Sequence, residues 1–183
     1  MLFLIKKSRN QIGFTLIELL VSIFIITLIS GLFLADYHST NKRSELRMTA
    51  QKVISDIRLT QNNSLGSAEF NGSASPGGWG AYFDTTAPDS YIIFADIDGN
   101  QSYTDVFEKS KQIDLPPGIK INSIYSDKAG EQNNLSITFL PPDPITYING
   151  EDDDKVLIEL IESAGNSTIT IKVNFFGLIS LAD

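Results

Sequence analysis

Residues 13–35 read GFTLIELLVSIFIITLISGLFLA, and between Phe14 and Ala35 the only ionisable residue is Glu18. As a helix rising roughly 1.5 Å per residue, those 22 residues span about 33 Å, enough to cross a hydrocarbon core of about 30 Å. The run is longer than the roughly 7–15 residues of a removable signal core. Nor does it present the small residues that ordinary signal peptidase requires at the last and third-last positions. A cut after Ala35 puts Phe33 third-last, and cuts after Gly31 or Ser30 put Ile29 or Leu28 there. The segment is therefore expected to stay on the mature chain. Upstream, residues 1–13 carry Lys6, Lys7 and Arg9 and no acid. The positive-inside rule holds these three on the cytoplasmic side and places everything after Asp36 outside.

Gly13-Phe14-Thr15-Leu16-Ile17-Glu18-Leu19-Leu20 behind a basic leader resembles the processing and methylation site of type IV prepilins and pseudopilins. The resemblance implies that a membrane-embedded prepilin peptidase cuts between Gly13 and Phe14 and methylates the new Phe14 amine. It also places Glu18 at the family's assembly position. The residues support that role independently, because a carboxylate at the centre of a membrane helix costs roughly 2.5–3.5 kcal/mol on insertion scales and calls for a partner. After such a cut the Phe14 amine, of the same subunit or a neighbour, is the nearest cation, one helical turn away. Pairing across subunits would make Glu18 a register device, as buried polar groups are in coiled coils. The plainer alternative is that Glu18 snorkels to the interface of a single-pass anchor.

Beyond Asp36, Leu46, Ala50, Val53, Ile54, Ile57, Gln61 and Leu65 recur at helical spacing, with only Gln61 polar. That pattern predicts one face of an amphipathic helix. No proline interrupts residues 14–65, so the membrane and amphipathic segments are expected to form one helix of about 78 Å at the standard rise. Many pilins carry a proline where Ala35 stands, so any local melting here would rely on Gly31 and the polar residues 36–41. Residues 66–80, rich in Gly, Ser, Asn and Ala, read as a loop. After it come runs of β composition at 79–83, 91–95, 111–115, 119–125, 135–140, 156–161, 168–175 and 178–181, which suit an antiparallel sheet. Ile169, Ile171, Val173 and Phe175 alternate and offer one apolar face to the helix. The expected fold is α+β: a leader at 1–13, a helix at 14–65 with its membrane span at about 14–35, and a β-rich head at 66–183.

Within the head, Gly78-Trp79-Gly80-Ala81-Tyr82-Phe83, Tyr91-Ile92-Ile93-Phe94-Ala95-Asp96 and Gly177-Leu178-Ile179-Ser180 resemble the β-domain of H-type minor pseudopilins and T-type fimbrial minor pilins. The resemblance implies a structural subunit of a type IV pilus or type II secretion pseudopilus. Its partners would be prepilin peptidase, other pilin or pseudopilin subunits and a membrane assembly platform. It further implies an inner-membrane protein with its head outside the cytoplasm, carried into a filament or to the cell surface on assembly. A filament-tip module for adhesion or DNA uptake is the alternative. DNA-binding T-type members carry arginines near the chain end, whereas here none follows Arg58.

Composition narrows the functional classes. The chain of 183 residues has 14 Lys+Arg against 22 Asp+Glu, for a net charge of −8. Loss of the three leader bases would take it to −11, which disfavours a nucleic-acid partner. There is no cysteine, hence neither a disulfide nor a lipid-anchor cysteine, and His38 is the single histidine. No zinc site or Cys/His nucleophile can be assembled from that set, and no Walker loop is present. Enzymatic function is not expected, and no cofactor is required.

One loop invites a cation. Asp96, Asp98 and Asn100 alternate around Gly99, and oxygens so placed can wrap a structural Ca²⁺. The twelfth position from Asp96 is Phe107 rather than a bidentate Glu, so this is not an EF-hand. The alternative is a tight Asp98-Gly99 hairpin turn without metal. Glu151-Asp152-Asp153-Asp154 reads as a solvated loop tip, with a second cation site or a filament contact as the sharper alternative. Trp79 and Tyr82 are read as strand residues packing in the core.

Overall fold

The computed structural model describes residues 13–142, 145–151, 155–164 and 166–182; for 34–40 and Ala74 it describes the backbone alone. Two compact units emerge, Met1–Thr40 and Asn41–Asp183. Helix α1, Leu16–Leu65, contributes to both.

In the first unit Leu16–Phe33 is an uninterrupted helix of mean hydropathy 2.5, long and apolar enough to cross a membrane. None of its large apolar side chains is buried, and Phe14 is 78% exposed. Two of its three hydroxyl residues are satisfied locally: Ser22 Oγ donates to the Glu18 carbonyl at 2.7 Å and Thr27 Oγ1 to the Ile23 carbonyl.

In the second unit, residues 41–65 of α1 bury Leu46, Ala50, Val53, Ile57, Thr60 and Ser64, spaced 4, 3, 4, 3 and 4, with Ile54 beside them. Sequence periodicity placed Gln61 and Leu65 at the end of that stripe. Instead Gln61 is half-buried and Leu65 is 47% exposed. The helical repeat runs through Thr60 and Ser64, whose hydroxyls have partners that make burial tolerable. Thr60 Oγ1 donates to the Ile57 carbonyl at 2.7 Å, and Ser64 Oγ accepts the Trp79 amide at 2.6 Å. The helix ends in a Schellman turn, with the Ala68 amide on the Asn63 carbonyl at 2.8 Å and the Ser67 amide on the Ser64 carbonyl at 3.0 Å. Ser67 takes the left-handed position at φ 49°.

The strands are β1 Glu69–Phe70, β2 Ser73–Ala74, β3 Gly78–Asp84, β4 Ser90–Asp96, β5 Lys109–Asp114, β6 Ile119–Ser126, β7 Gly130–Gln132, β8 Asn134–Leu140, β9 Ile145–Ile148, β10 Lys155–Glu162, β11 Ser167–Asn174 and β12 Ile179–Ala182. All pairings are antiparallel. Where one sheet was expected there are two of five strands, ordered β12-β11-β10-β6-β7 and β5-β4-β3-β8-β9, plus the β1-β2 hairpin. Ten strands at about 4.8 Å would make a sheet over 40 Å wide, more than a helix about 10 Å across can cover. Two narrower sheets share one core with the helix instead. Polar ties fix α1 to both. Ser64 meets β3, Asp56 accepts the Tyr91 hydroxyl of β4, Lys42 pairs with Glu162 of β10 at 3.0 Å, and Arg58 Nη2 donates to the Ile179 carbonyl of β12 at 2.9 Å.

Three local departures follow from turn chemistry. The expected 66–80 loop contains the β1-β2 hairpin, turned by Asn71 and Gly72 at φ 53° and 79°. Strand β11 stops at Asn174, because the Asn174 side chain accepts the Leu178 amide at 2.8 Å and its carbonyl accepts the Gly177 amide. Phe175 and Phe176 are thereby turned out of the sheet, and of the expected face only Ile169, Ile171 and Val173 pack inward. Strand β7, Gly-Glu-Gln, has no apolar side chain to mark it, and β9, Ile-Thr-Tyr-Ile, has strand composition but only four residues, too short a run to register in the sequence.

The second sheet is covered on its other face as well. The segment after β4, residues 97–108, lays Tyr103 against Phe94 at 5.5 Å and against Tyr82 at 5.0 Å between ring centroids. Its Gln101 carbonyl accepts Thr138 Oγ1 at 2.9 Å, and its Tyr103 amide donates to Ser136 Oγ at 2.9 Å. Beneath it Gly80 leaves room for the Phe94 ring, to which any added Cβ would come within 2.6 Å.

Candidate functional site

The N-terminal site is built by the helix start. Thr15 is the N-cap: its hydroxyl accepts the Glu18 amide at 3.3 Å, while Glu18 Oε2 accepts the Thr15 amide at 3.0 Å and the Thr15 hydroxyl at 2.9 Å. This is a reciprocal capping box, T-x-x-E, that satisfies donors otherwise orphaned at a helix start. Gly13 and Phe14 lie just before it, exposed and outside regular structure. A small residue, an accessible peptide bond and a capped helix thus follow one another within six residues, with the only carboxylate of the apolar span tied back toward the bond. In the uncut chain Glu18 has Thr15 as its partner, which the sequence reading had not named although the T-x-x-E spacing signals it. Lys6, Lys7 and Arg9, and with them most of the 1–13 leader, lie outside the described residues.

The second candidate lies in the 97–108 segment. Asp96 is fully buried; its carboxylate accepts the Gly99 amide at 2.7 Å and the Gln101 amide at 2.8 Å. Asp98 is exposed and accepts the Asn100 amide at 3.1 Å and Asn100 Nδ2 at 2.7 Å. Glu108, 3% exposed, accepts the Ile97 amide at 3.3 Å and the Thr104 amide at 3.1 Å. One oxygen from each of Asp96, Asp98 and Glu108 falls within 4.8 Å of the others. Burial first, then the adjacent Asp98 and Glu108, push the Asp96 carboxyl above its ordinary range against the opposing pull of the Gln101 and Gly99 amides. Gly77 packs so closely that an added Cβ would sit 1.9 Å from Asp96 Oδ2. Three oxygen donors with converging charge suit a hard cation.

Of the expected ligand set, Asp96 and Asp98 converge. Asn100 turns its amide to Asp98 and accepts the Ser102 amide at 2.7 Å, bracing the loop. Glu108, the third carboxylate, was missed because it comes from the segment's far end rather than from the alternating run. The Asp98-Gly99 turn is also present, with Gly99 at φ 78°. Asp152, Asp153 and Asp154 lie outside the described residues; Glu151 closes a turn through a bridge with Ile148. Trp79 packs as expected, its Nε1 donating to the Ala68 carbonyl at 3.0 Å and its ring meeting Phe70 edge-on at 5.9 Å.

Comparison with known families matches residues 8–34 to the prokaryotic N-terminal methylation motif. No curated protein and no solved structure matches the chain. The match spans the exposed Gly13-Phe14 bond, the Thr15–Glu18 capping box and the apolar helix. With an α+β fold of helix and antiparallel sheets beyond it, the chain is type IV pilin-like: it carries the prokaryotic N-terminal methylation motif on an apolar helix long enough to cross a membrane.

Proposed function

We propose that the chain is a non-enzymatic structural subunit, a minor pilin or pseudopilin, of a type IV pilus or type II secretion pseudopilus. The observation that carries the reading is the methylation motif over residues 8–34 ending in a helix whose apolar side chains between Leu16 and Phe33 are unburied among the described residues. Such a surface is covered either by lipid or by like helices, and assembly exchanges the first for the second. In this reading prepilin peptidase cuts after Gly13 and methylates the Phe14 amine. The cut leaves Thr15 and Glu18 in place and adds a cation one turn from the carboxylate, so Glu18 exchanges its capping role for pairing with an amine of its own or a neighbouring subunit. The head would stand outside the cytoplasm. Lys42, Arg43 and Arg47 follow the span closely, so lysines and arginines flank it on both sides. The processing motif, read on the cytoplasmic face, is therefore what supports this orientation.

The test is N-terminal sequencing and filament fractionation of the wild type and Glu18→Ala side by side. Both should begin at N-methylated Phe14, and only the wild type should enter filaments. A mature chain beginning downstream of residue 35 would remove the anchor and the proposal with it, and normal incorporation of Glu18→Ala would remove the register role.

We also propose that the cluster of Asp96, Asp98 and Glu108 takes a structural Ca²⁺. Support comes from the convergence of one exposed and two buried carboxylates on one point.

A further inference from the structure

Basic charge is unevenly placed along this acidic chain. Residues 66–183 hold 18 acids against 6 lysines, whereas residues 41–65 hold five bases, Lys42, Arg43, Arg47, Lys52 and Arg58, against Glu45 and Asp56. Three of those five bases are engaged within the chain: Lys42 with Glu162, Lys52 with Asp56, and Arg58 with the Ile179 carbonyl. Arg43 and Arg47 are exposed and form no ion pair or hydrogen bond among the described residues. They sit one turn apart on α1 and form one wall of a groove of about 600 Å³. The other wall is the hairpin end at Asn166, Ser167 and Thr168, with buried Leu46 between the walls. Glu162 lies directly across β10-β11 from Ser167, but it is bound to Lys42 and to the Ala164 amide rather than to either arginine.

We propose that this groove binds the phosphate of an anionic phospholipid headgroup. Two guanidinium forks reach phosphate oxygens in a way a single lysine cannot, and the Ser167 and Thr168 hydroxyls with the Asn166 amide supply neutral donors opposite them. Membrane lipid is the favoured source because Arg43 follows Phe33 by only ten residues. Basic groups in that flank feel the surface potential of anionic leaflets, which decays within a Debye length. The inference rests on the anchored reading of Leu16–Phe33 and not on filament assembly.

The experiment uses the full-length chain in neutral detergent micelles doped with phosphatidylglycerol or phosphatidylcholine. Lipid retention is read by native mass spectrometry, and folding of the head by the fluorescence of Trp79, the single tryptophan. The wild type should retain phosphatidylglycerol in preference to phosphatidylcholine. Arg43→Gln/Arg47→Gln should weaken that retention about 30-fold, a factor of roughly five per arginine. Arg43→Lys/Arg47→Lys, which keeps the charge but not the forks, should fall between the two, and all three should unfold at the same temperature in phosphatidylcholine. Equal retention by the wild type and the glutamine variant overturns the proposal. So does displacement of the lipid by inorganic phosphate at equal phosphate concentration, which would make the ligand a free anion. Salt-sensitive self-association lost in the glutamine variant, with lipid preference unchanged, overturns it in favour of an acidic face on a second copy. Intact mass in the same spectra shows whether the Leu16–Phe33 span is present, so loss of the anchor is distinguished from failure of the groove.

Discussion

Asp84, at the end of β3, shows what single carboxylates do in this head. Burial pulls its carboxyl upward, but the Thr86 hydroxyl and amide at 2.7 Å each, with the Tyr82 hydroxyl and the Ala87 amide, outweigh it and hold the group below its ordinary 3.8. A carboxyl depressed in the folded state adds stability that is fully present above 3.8 and is lost as pH falls through the folded value. Asp84→Asn keeps an acceptor oxygen and removes the charge. The variant should therefore be less stable than the wild type at pH 7 by about 0.5–1 kcal/mol, the scale of a solvent-screened charged contact. The gap should close as pH falls below 3.8, and urea melts at pH 7 and pH 3 would read it. A gap unchanged across that range would mean that shape rather than charge sets the turn. Tyr91 lies at the other extreme: burial, then its bond to Asp56, pushes its hydroxyl far up, so it stays a neutral donor that ties α1 to β4.

At the scale of elements, α1 stops where its carbonyls are capped rather than where its apolar residues end. Ser67 occupies the left-handed site that glycine usually fills, and a residue with a Cβ pays for that conformation. Ser67→Gly should raise the stability of the head by about 0.5–1 kcal/mol, read as a higher midpoint in chemical denaturation with unchanged slope. A lower midpoint would show that the serine side chain does more than occupy the turn. The same turn explains what the sequence could and could not disclose. Eight strands announced themselves through β-branched and aromatic runs, and the buried start of the helix stripe, Leu46 to Ile57, through its spacing. Thr60 and Ser64 did not, because a buried hydroxyl is recognisable only once its partner, the Ile57 carbonyl or the Trp79 amide, is in place. Likewise Asp96 and Asp98 were legible as a local run, whereas Glu108 joins them only after the chain has crossed the sheet face and returned.

For the molecule as a whole, the segment over the second sheet links that carboxylate cluster to the stability of the entire head. Residues 97–108 close the outer face above Phe94, Thr138 and Ser136. Their two ends are held by buried acids: Asp96 gathers the Gly99 and Gln101 amides, and Glu108 gathers those of Ile97 and Thr104. With Asp98 they bring three like charges together, a repulsion that the fold must offset and that a divalent cation would relieve. If affinity lies in the roughly 0.1–1 mM range of extracellular modules, then about 5 mM Ca²⁺ should stabilise the folded head by about 1–2 kcal/mol. For a unit of this size that is a rise in melting temperature of about 3–8 °C. Glu108→Gln should lose most of the rise; its single amide oxygen can keep only one of the Ile97 and Thr104 contacts, which sit on different carboxylate oxygens, so its calcium response is read against its own chelator baseline. Asn100→Ala should keep the rise if the asparagine only braces the loop. Equal melting temperatures with calcium and with chelator would mean that the amides alone balance the three carboxylates. Because the segment covers Phe94 and Thr138 in the middle of the sheet, the shift should appear in the one cooperative transition of the head, reported by Trp79 at the helix end, and not as a separate local melting.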